Sequence, residues 1–379
     1  MKYASLSGLQ GWTSDSLSGA IEAFTAVPAD LLIDSWRKHP RLQALDAQII
    51  VNTARTLLAR ASSIDPHDTA GIRNYFENCF TAQSGSADLD NGGSGLVTGY
   101  FDPLLKADRH PSDAFPVPLY ARPSDLINLV DEDQRATGPT AFTHARRTKS
   151  GSEPFSTRAE IEAGALNGQG LELCYLADPV DAFFLHVQGS GKVIYPDGES
   201  ARLTYYGKNG HPYTSIGAEL IAQGDIEAAD MTLDRLAHWL RSHPAAAREI
   251  MQRNQSYVFF KFLDPNVEDT AHGVLDTPLH PLRSLAVDTQ FHVLGLPVFV
   301  AAPSLAAQSS SQQKPSQNAP AGFSRLMFAH DVGSAIKGRH RGDIYFGSGD
   351  EAGRRAGATK HSATLTPLLP IDFVEALST

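Results

Sequence analysis

The 379-residue chain is 42% hydrophobic and 20% charged with a formal net charge of −10, a balance that fits a globular protein of about two domains and argues against nucleic acid, whose phosphates call for a concentrated basic face. No window reaches the roughly 18 consecutive apolar residues of a membrane span. Cys79 and Cys174 form no CxxC, and the absence of HExxH or any other tight ligand spacing gives no expectation of a metal site; whether the two thiols pair is left open by spacing alone.

The opening MKYASLSGLQGW lacks the long apolar core of a signal peptide. It reads either as the start of a cytoplasmic protein or as a mature form whose export signal has been removed. Residues 13–80 read as helical, with Thr13-Ser14-Asp15 as a cap before Leu17, Ala20, Ile21 and Phe24 at helical spacing. Pro28, Pro40 and Pro66 punctuate further segments, and Trp12 and Trp36 are expected to anchor the core. After a Gly/Ser/Asp-rich turn from Ser84 to Gly95, Leu96-Val97-Thr98 reads as a strand ending at Gly99. Tyr100-Phe101-Asp102-Pro103 then reads as a turn projecting aromatic surface, equally suited to sugar stacking and to core packing.

From Pro116 to Gln223 the pattern is β-rich. Phe183, Leu185 and Val187 alternate as in a strand. Gln188-Gly189-Ser190-Gly191 reads as a turn that leaves an amide, a hydroxyl and bare backbone to a ligand. Gly207, Gly210 and Pro212 then present Lys208, Asn209, His211 and Tyr213 in a loop before a helix from Ser215. Residues 232–252 form an amphipathic helix interrupted at Pro244, residues 254–263 a buried strand, and residues 281–288 and 294–300 further strands. The polar stretch 303–320 has too little apolar content to pack and reads as a flexible loop.

The segment from Arg325 to Gly357, RLMFAHDVGSAIKGRHRGDIYFGSGDEAGRRAG, sets Asp331 and Asp343 at strand ends among glycines. A rigid sheet displays chemistry at such positions, although capping a turn is the commoner work of an Asp beside Gly. Leu365 to Leu377 returns a few apolar residues and a Pro at the end of the chain.

The words GYFDP, FFLHVQGSG, GKNGHPYTSIG and NQSYVFF, together with the segment from Arg325 to Gly357, resemble the membrane-bound lytic murein transglycosylase A family with its C-terminal three-aspartate (3D) domain. The likeness covers most of the chain. Departures are Phe101 where the family's second Tyr stands, His186 for Gln at what would be a variable outward position, Gln255 for Pro, and an RHRGD word one residue longer than the usual spacing.

The resemblance implies a mainly β fold with N-terminal helices. A double-psi β-barrel with the helical front end would take residues 1–112 and 248–379, with Asp288 as the first of three aspartates. An inserted, smaller β-barrel-like domain would take 113–247, and a glycan groove would run between them. It also implies a peptidoglycan lytic exotransglycosylase that cuts the β-1,4 bond between N-acetylmuramic acid and N-acetylglucosamine and leaves a 1,6-anhydro end. Asp343 would act as acid and then base and Asp331 would tune it. Thr98, Gly99, Tyr100, Gln188, Gly189, Ser190, Asn209, His211, Tyr213, Lys337 and Asp288 would line the substrate path.

No cofactor is implied. Peptidoglycan glycan strands are the expected partner, a murein synthase or scaffold protein a further one, and the chain is expected to be a monomer of the periplasm, associated with the outer membrane in the family's manner. Two other readings stand beside this one: a non-catalytic, expansin-like glycan binder, and a hydrolase that uses Asp331 and Asp343 with water.

Overall fold

Four helices open the chain: α1 (Ala20–Thr25), α2 (Ala29–Lys38), α3 (Ala47–Ala61) and α4 (Thr69–Cys79). The structure, a computed structural model, describes residues 2–84, 95–129, 142–264, 270–305, 322–333 and 335–378. The chain divides into two units, one of Met1–Gly99, His272–Gly347 and Thr359–Thr379, the other of Tyr100–Ala271 and Ser348–Ala358. Residues 85–94 of the glycine-rich turn and 306–320 of the polar loop lie outside the described residues.

In the first unit the helices pack on a sheet ordered β1 (Lys2–Ala4), β2 (Phe80–Ser84), β17 (Lys360–Pro370), β14 (Pro297–Ala302), β15 (Phe323–Val332), β13 (Ser284–Val287), β16 (Arg341–Ser348) and β3 (Gly95–Asp102). Pairing of β17 with β3, Lys360 opposite Thr98, closes the last six into a barrel, and closure leaves those strands without a bare edge. Strand β13 runs parallel to β15 and antiparallel to β16. The C-terminal apolar stretch thus supplies β17, a central strand, followed by a helix from Ile371 to Ser378.

Trp12 and Trp36 are both fully buried in this core. Trp12 packs edge-on against Phe299 with ring centres 5.6 Å apart and donates to Glu77 Oε1 at 2.7 Å, while Trp36 donates to the Leu294 carbonyl at 2.9 Å. Each indole therefore buries its body without stranding its N–H. The expected cap at Thr13-Ser14-Asp15 is not one. Helix α1 starts at Ala20 after Gly19, and the Asp15 carboxylate is claimed by Arg283, which donates to both of its oxygens at 2.7 and 2.8 Å, and by the Leu326 N–H.

The second unit holds a six-stranded sheet ordered β12 (Val258–Phe262), β11 (Ser200–Lys208), β10 (Ser190–Ile194), β4 (Leu104–Asp108), β9 (Glu172–Leu176) and β5 (Val117–Tyr120). A parallel bridge between Ala121 and Phe260 links its two edges. The strand read from 254–263 is therefore β12 and pairs with β11 of this sheet. The expected strand at 183–187 is wrong: Pro179–Gln188 is a helix, α5. Asp178 caps it by accepting from the Val180 N–H, Pro179 fills its first turn and Gly189 ends it at φ 82°. A three-stranded sheet of β6 (Leu126–Asn128), β7 (His144–Thr148) and β8 (Gly151–Glu153) and helices α6 (Ile216–Gln223), α7 (Leu233–Ser242), α8 (Pro244–Arg253) and α9 (Gly349–Gly357) complete the unit. Cys79 and Cys174 are both buried and free.

Replacing Arg283 with Met leaves the buried Asp15 carboxylate without its counter-charge. The loss should be about 3–5 kcal/mol in urea unfolding, and a change under about 1 kcal/mol would contradict the assignment. Burial alone would raise the Asp15 pKa, but Arg283 holds it below the usual value. The pair's stabilisation is therefore complete above the unfolded value of about 3.9 and disappears as pH falls through the lowered folded value.

Candidate active site

Asp343 is the third residue of β16, and its register partner across the sheet is Ala286 of β13. Ala286 is also the partner of Asp331 on β15, so β13 carries one carboxylate on each flank. Gly342 lets β16 pack closely on the core: a Cβ there would come within 2.9 Å of Leu365 Cδ2 and 3.1 Å of Leu285 Cδ1.

Barrel closure brings Thr98 of β3 to Asp343, and its hydroxyl donates to Oδ1 at 2.5 Å. The same hydroxyl accepts from Arg341 Nη2 at 2.8 Å, while Nη1 of that guanidinium donates to the Gly342 carbonyl. Arg has only donors, so the Thr98 hydroxyl accepts from the guanidinium while giving its own proton to Oδ1, a bond that is kept when the acid is protonated on its other oxygen. A proton carried by Asp343 then belongs on Oδ2, which has no hydrogen-bond partner among the described residues. Burial raises the pKa of Asp343 to about 6; Thr98 and Arg341 pull it down and the Asp331 charge adds to the rise.

Asp331 is half-buried and accepts from the Val332 N–H through Oδ1 at 2.9 Å. Asp288 is buried, and its carboxylate accepts from Gly338 N–H at 2.7 Å in the loop before β16 and from Gln290 N–H at 3.1 Å in its own turn. Gly338 has φ 103°, which suits glycine at this turn. Asp288 thus holds the loop instead of facing a ligand. Lys337 beside it is exposed.

In the second unit several expected ligand groups are already occupied. Tyr100 is buried and lies with Phe101 in the continuing strand β3, which replaces the aromatic turn expected there. Gln188, at the end of α5, accepts the Phe101 N–H at 3.1 Å, and Gly189 is the helix cap. Ser190 donates to Asp102 at 2.8 Å. Asp102 is fully buried, pairs with Arg202 and accepts from Ser348 at 3.1 Å.

Asn209, expected in an open loop, is fully buried. Its Nδ2 donates to the Ser156 and Gln255 carbonyls, both at 2.8 Å, and its Oδ1 accepts the Tyr257 N–H at 2.9 Å. His211 is buried with Nε2 2.8 Å from the Phe155 carbonyl. These two shape the loop from within, whereas Tyr213 is half-buried. His186, expected to point outward, is buried with Nδ1 3.0 Å from Arg158 Nη1.

The structure therefore joins Asp343 and Thr98 directly. It adds Arg341, which sequence reasoning missed although it stands in the lengthened RHRGD word. Gly99 ends the first unit's share of β3. Among the described residues no group of His, Cys, Asp and Glu is placed to hold a metal ion.

Residues 96–261 match the family model described as the MltA specific insert domain, and residues 283–369 match the 3D domain. Membrane-bound lytic murein transglycosylase A of Vibrio cholerae serotype O1 is 34% identical over 285 residues, 74% of this chain and 66% of the relative, so the chain spans just under two thirds of that relative's length. The Escherichia coli K12 protein of the same name is 35% identical over 296 residues, 78% of this chain and 70% of the relative. A crystal structure of membrane-bound lytic murein transglycosylase from Agrobacterium tumefaciens superposes with a TM-score of 0.81 at 31% identity, covering 99% of this chain and 98% of that one. E. coli MltA with bound chitohexaose gives 0.62 at 27% identity, covering 98% and 92%. The fold is accordingly that of the MltA structures, with the first unit's barrel a double-psi β-barrel, and the chain belongs to the family of membrane-bound lytic murein transglycosylase A.

Proposed function

We propose that this chain is a lytic murein transglycosylase that cleaves the β-1,4 bond between N-acetylmuramic acid and N-acetylglucosamine, with Asp343 as its one acid and base. The observation that carries this reading is the Asp343 carboxyl, lifted to about 6 and held by Thr98 through a single oxygen. The relatives' names and the chitohexaose complex of one neighbour support glycan as the substrate class.

Cleavage needs a neutral acid, because the departing sugar oxygen is a poor leaving group until protonated. The Oδ2 proton of Asp343 passes to that oxygen as the bond to C1 breaks. The carboxylate left behind takes the proton of the same sugar's C6 hydroxyl, whose oxygen bonds to C1. The product is a 1,6-anhydro end, no water is consumed, and the enzyme regains its proton.

Arg341 holds the Thr98 hydroxyl in place through both steps. Asp331 raises the acid's pKa by its charge. Its position beside the same β13 residue also keeps the hydrolase reading open to test, with Asp331 activating water. On this proposal residues 113–247 serve substrate binding, cleavage proceeds from chain ends, and the site of action is the cell envelope; among the described residues no helix is long and apolar enough to cross a membrane.

Mass spectrometry of digested murein should show 1,6-anhydro-muropeptides from the parent protein, and Asp343→Asn should lower kcat by about 10²–10⁴-fold. Reducing ends would mean a hydrolase, and intact glycan a binder. Thr98→Val should reduce kcat about ten- to a hundredfold with little change in KM, since the loss falls on the acid and not on sugar contacts.

The raised pKa also has a sign. The folded state holds the Asp343 proton more tightly than the unfolded chain, so this residue's contribution to stability is greatest below about 4 and declines as pH rises through about 6. Asp343→Asn should therefore gain stability relative to the parent on going from pH 4 to pH 7.5, by about 1–2 kcal/mol in paired urea titrations. An equal difference at both pH values would show that the carboxyl is not perturbed.

A further inference from the structure

The second unit contains a cavity of about 850 Å³ that none of the candidate active-site residues lines. Its size is that of a small-molecule site. Val180, Phe183, Leu240 and Met251 give it an apolar wall. A second wall comes from the pairing of β5 with β9. Pro118 and Tyr120, two apart on β5, share a face; Tyr175 is opposite Pro118, and Glu172 is opposite Tyr120. Glu172 and Tyr175 are three apart on β9 and would point to opposite faces of a regular strand. The register skips Leu173, and this bulge brings both side chains to the cavity beside Tyr120.

Most of the charged lining is already committed. Arg158 Nη1 lies 3.5 Å from Glu162, and Arg241 Nε donates to Asp178 at 2.6 Å. Arg248 is exposed, where water and salt screen its charge. Glu172 differs from all of these: it is half-buried and has neither a hydrogen bond nor an ion pair among the described residues. Burial raises the pKa of Tyr120 and of Tyr175, and the Glu172 charge adds to both rises, so the carboxylate acts on the two hydroxyls together. Tyr120 is 3% exposed. Its hydroxyl has no partner among the described residues and is not sealed from water, so it opens on the cavity that the residue lines. A half-buried carboxylate without a counter-charge and a buried hydroxyl without a partner both carry a cost that a cationic donor offsets.

We propose that this cavity binds a small primary amine: an aromatic or aliphatic body carrying one ammonium that donates to the Glu172 carboxylate and to the Tyr120 hydroxyl oxygen. An ammonium has three donors and no acceptor, which suits a carboxylate flanked by phenol oxygens, and neighbouring tyrosine rings attract a cation further. Phe183, Leu240 and Met251 supply the body with its burial. The site is separate from the proposed glycan chemistry and does not depend on it.

The test uses the whole chain and two calorimetric probes, tryptamine and tryptophol, which share the indole and the ethyl arm and differ in ammonium against hydroxyl. Tryptamine should bind one saturable site, at least about tenfold tighter than tryptophol. Glu172→Gln strands no native partner, so it should fold as the parent does and erase that preference. In protein labelled with ¹³C-tyrosine, tryptamine should move the ring signal of Tyr120, which is identified by its loss in Tyr120→Phe. Ala163→Trp, on an exposed turn at the cavity lining, should weaken both probes at least about tenfold. The proposal is overturned if tryptamine does not saturate below about 5 mM, if its preference survives in Glu172→Gln, if the Tyr120 signal stays in place, or if Ala163→Trp binds as the parent does.

Discussion

Closing the first barrel makes β3 a neighbour of both β17 and β16, and this constraint is what sets Asp343 apart from the chain's other carboxylates, enclosed and with a raised pKa. The Leu96 N–H reaches the His340 carbonyl at 2.8 Å just before β16 begins, and two residues along β3 the Thr98 hydroxyl meets the carboxyl. Without closure the carboxyl would lack both its enclosing walls and the Thr98 donor. With it, desolvation raises the pKa while a single donor fixes which oxygen is free. A preorganised group of this kind needs no rearrangement when charge develops.

Much of the remaining polar inventory is committed to holding loops. Asp288 braces the turn at Gly338, Asp102 gathers Arg202, Ser190 and Ser348, and Asn209 bonds three backbone groups from within. Each is a buried polar side chain meeting the demand that backbone and charge be satisfied away from water. Residue types that resemble ligand-binding words here brace loops from within.

The legibility of the sequence follows the same division. Glycines and short apolar runs placed Asp331 and Asp343 on strands, while the role given to them came from the resemblance; the helices at the front were readable because proline and apolar spacing repeat there. The stretch Pro179–Gln188 misled because Phe183, Leu185 and Val187 satisfy alternation while Val180, Phe183, Phe184 and Val187 satisfy helical spacing; the Asp-Pro start and glycine stop were the better signal. Asp15 looked like a cap since nothing local announces Arg283, 268 residues away. Arg341 and the pair Arg158–His186 were missed for that reason as well: their roles depend on which strands and helices become neighbours. Double-psi topology came from resemblance, since strand order is not written in periodicity.

The central claim is that the Asp343 carboxyl keeps its proton well above the usual carboxylate range, up to about pH 6. A ¹³C NMR titration of its side-chain carboxyl in the folded protein measures this directly. A midpoint at about 6, well above the roughly 3.9 of an unperturbed Asp, is the predicted result. A midpoint at or below about 4 would leave the carboxyl ionised at working pH and would contradict the one-acid mechanism.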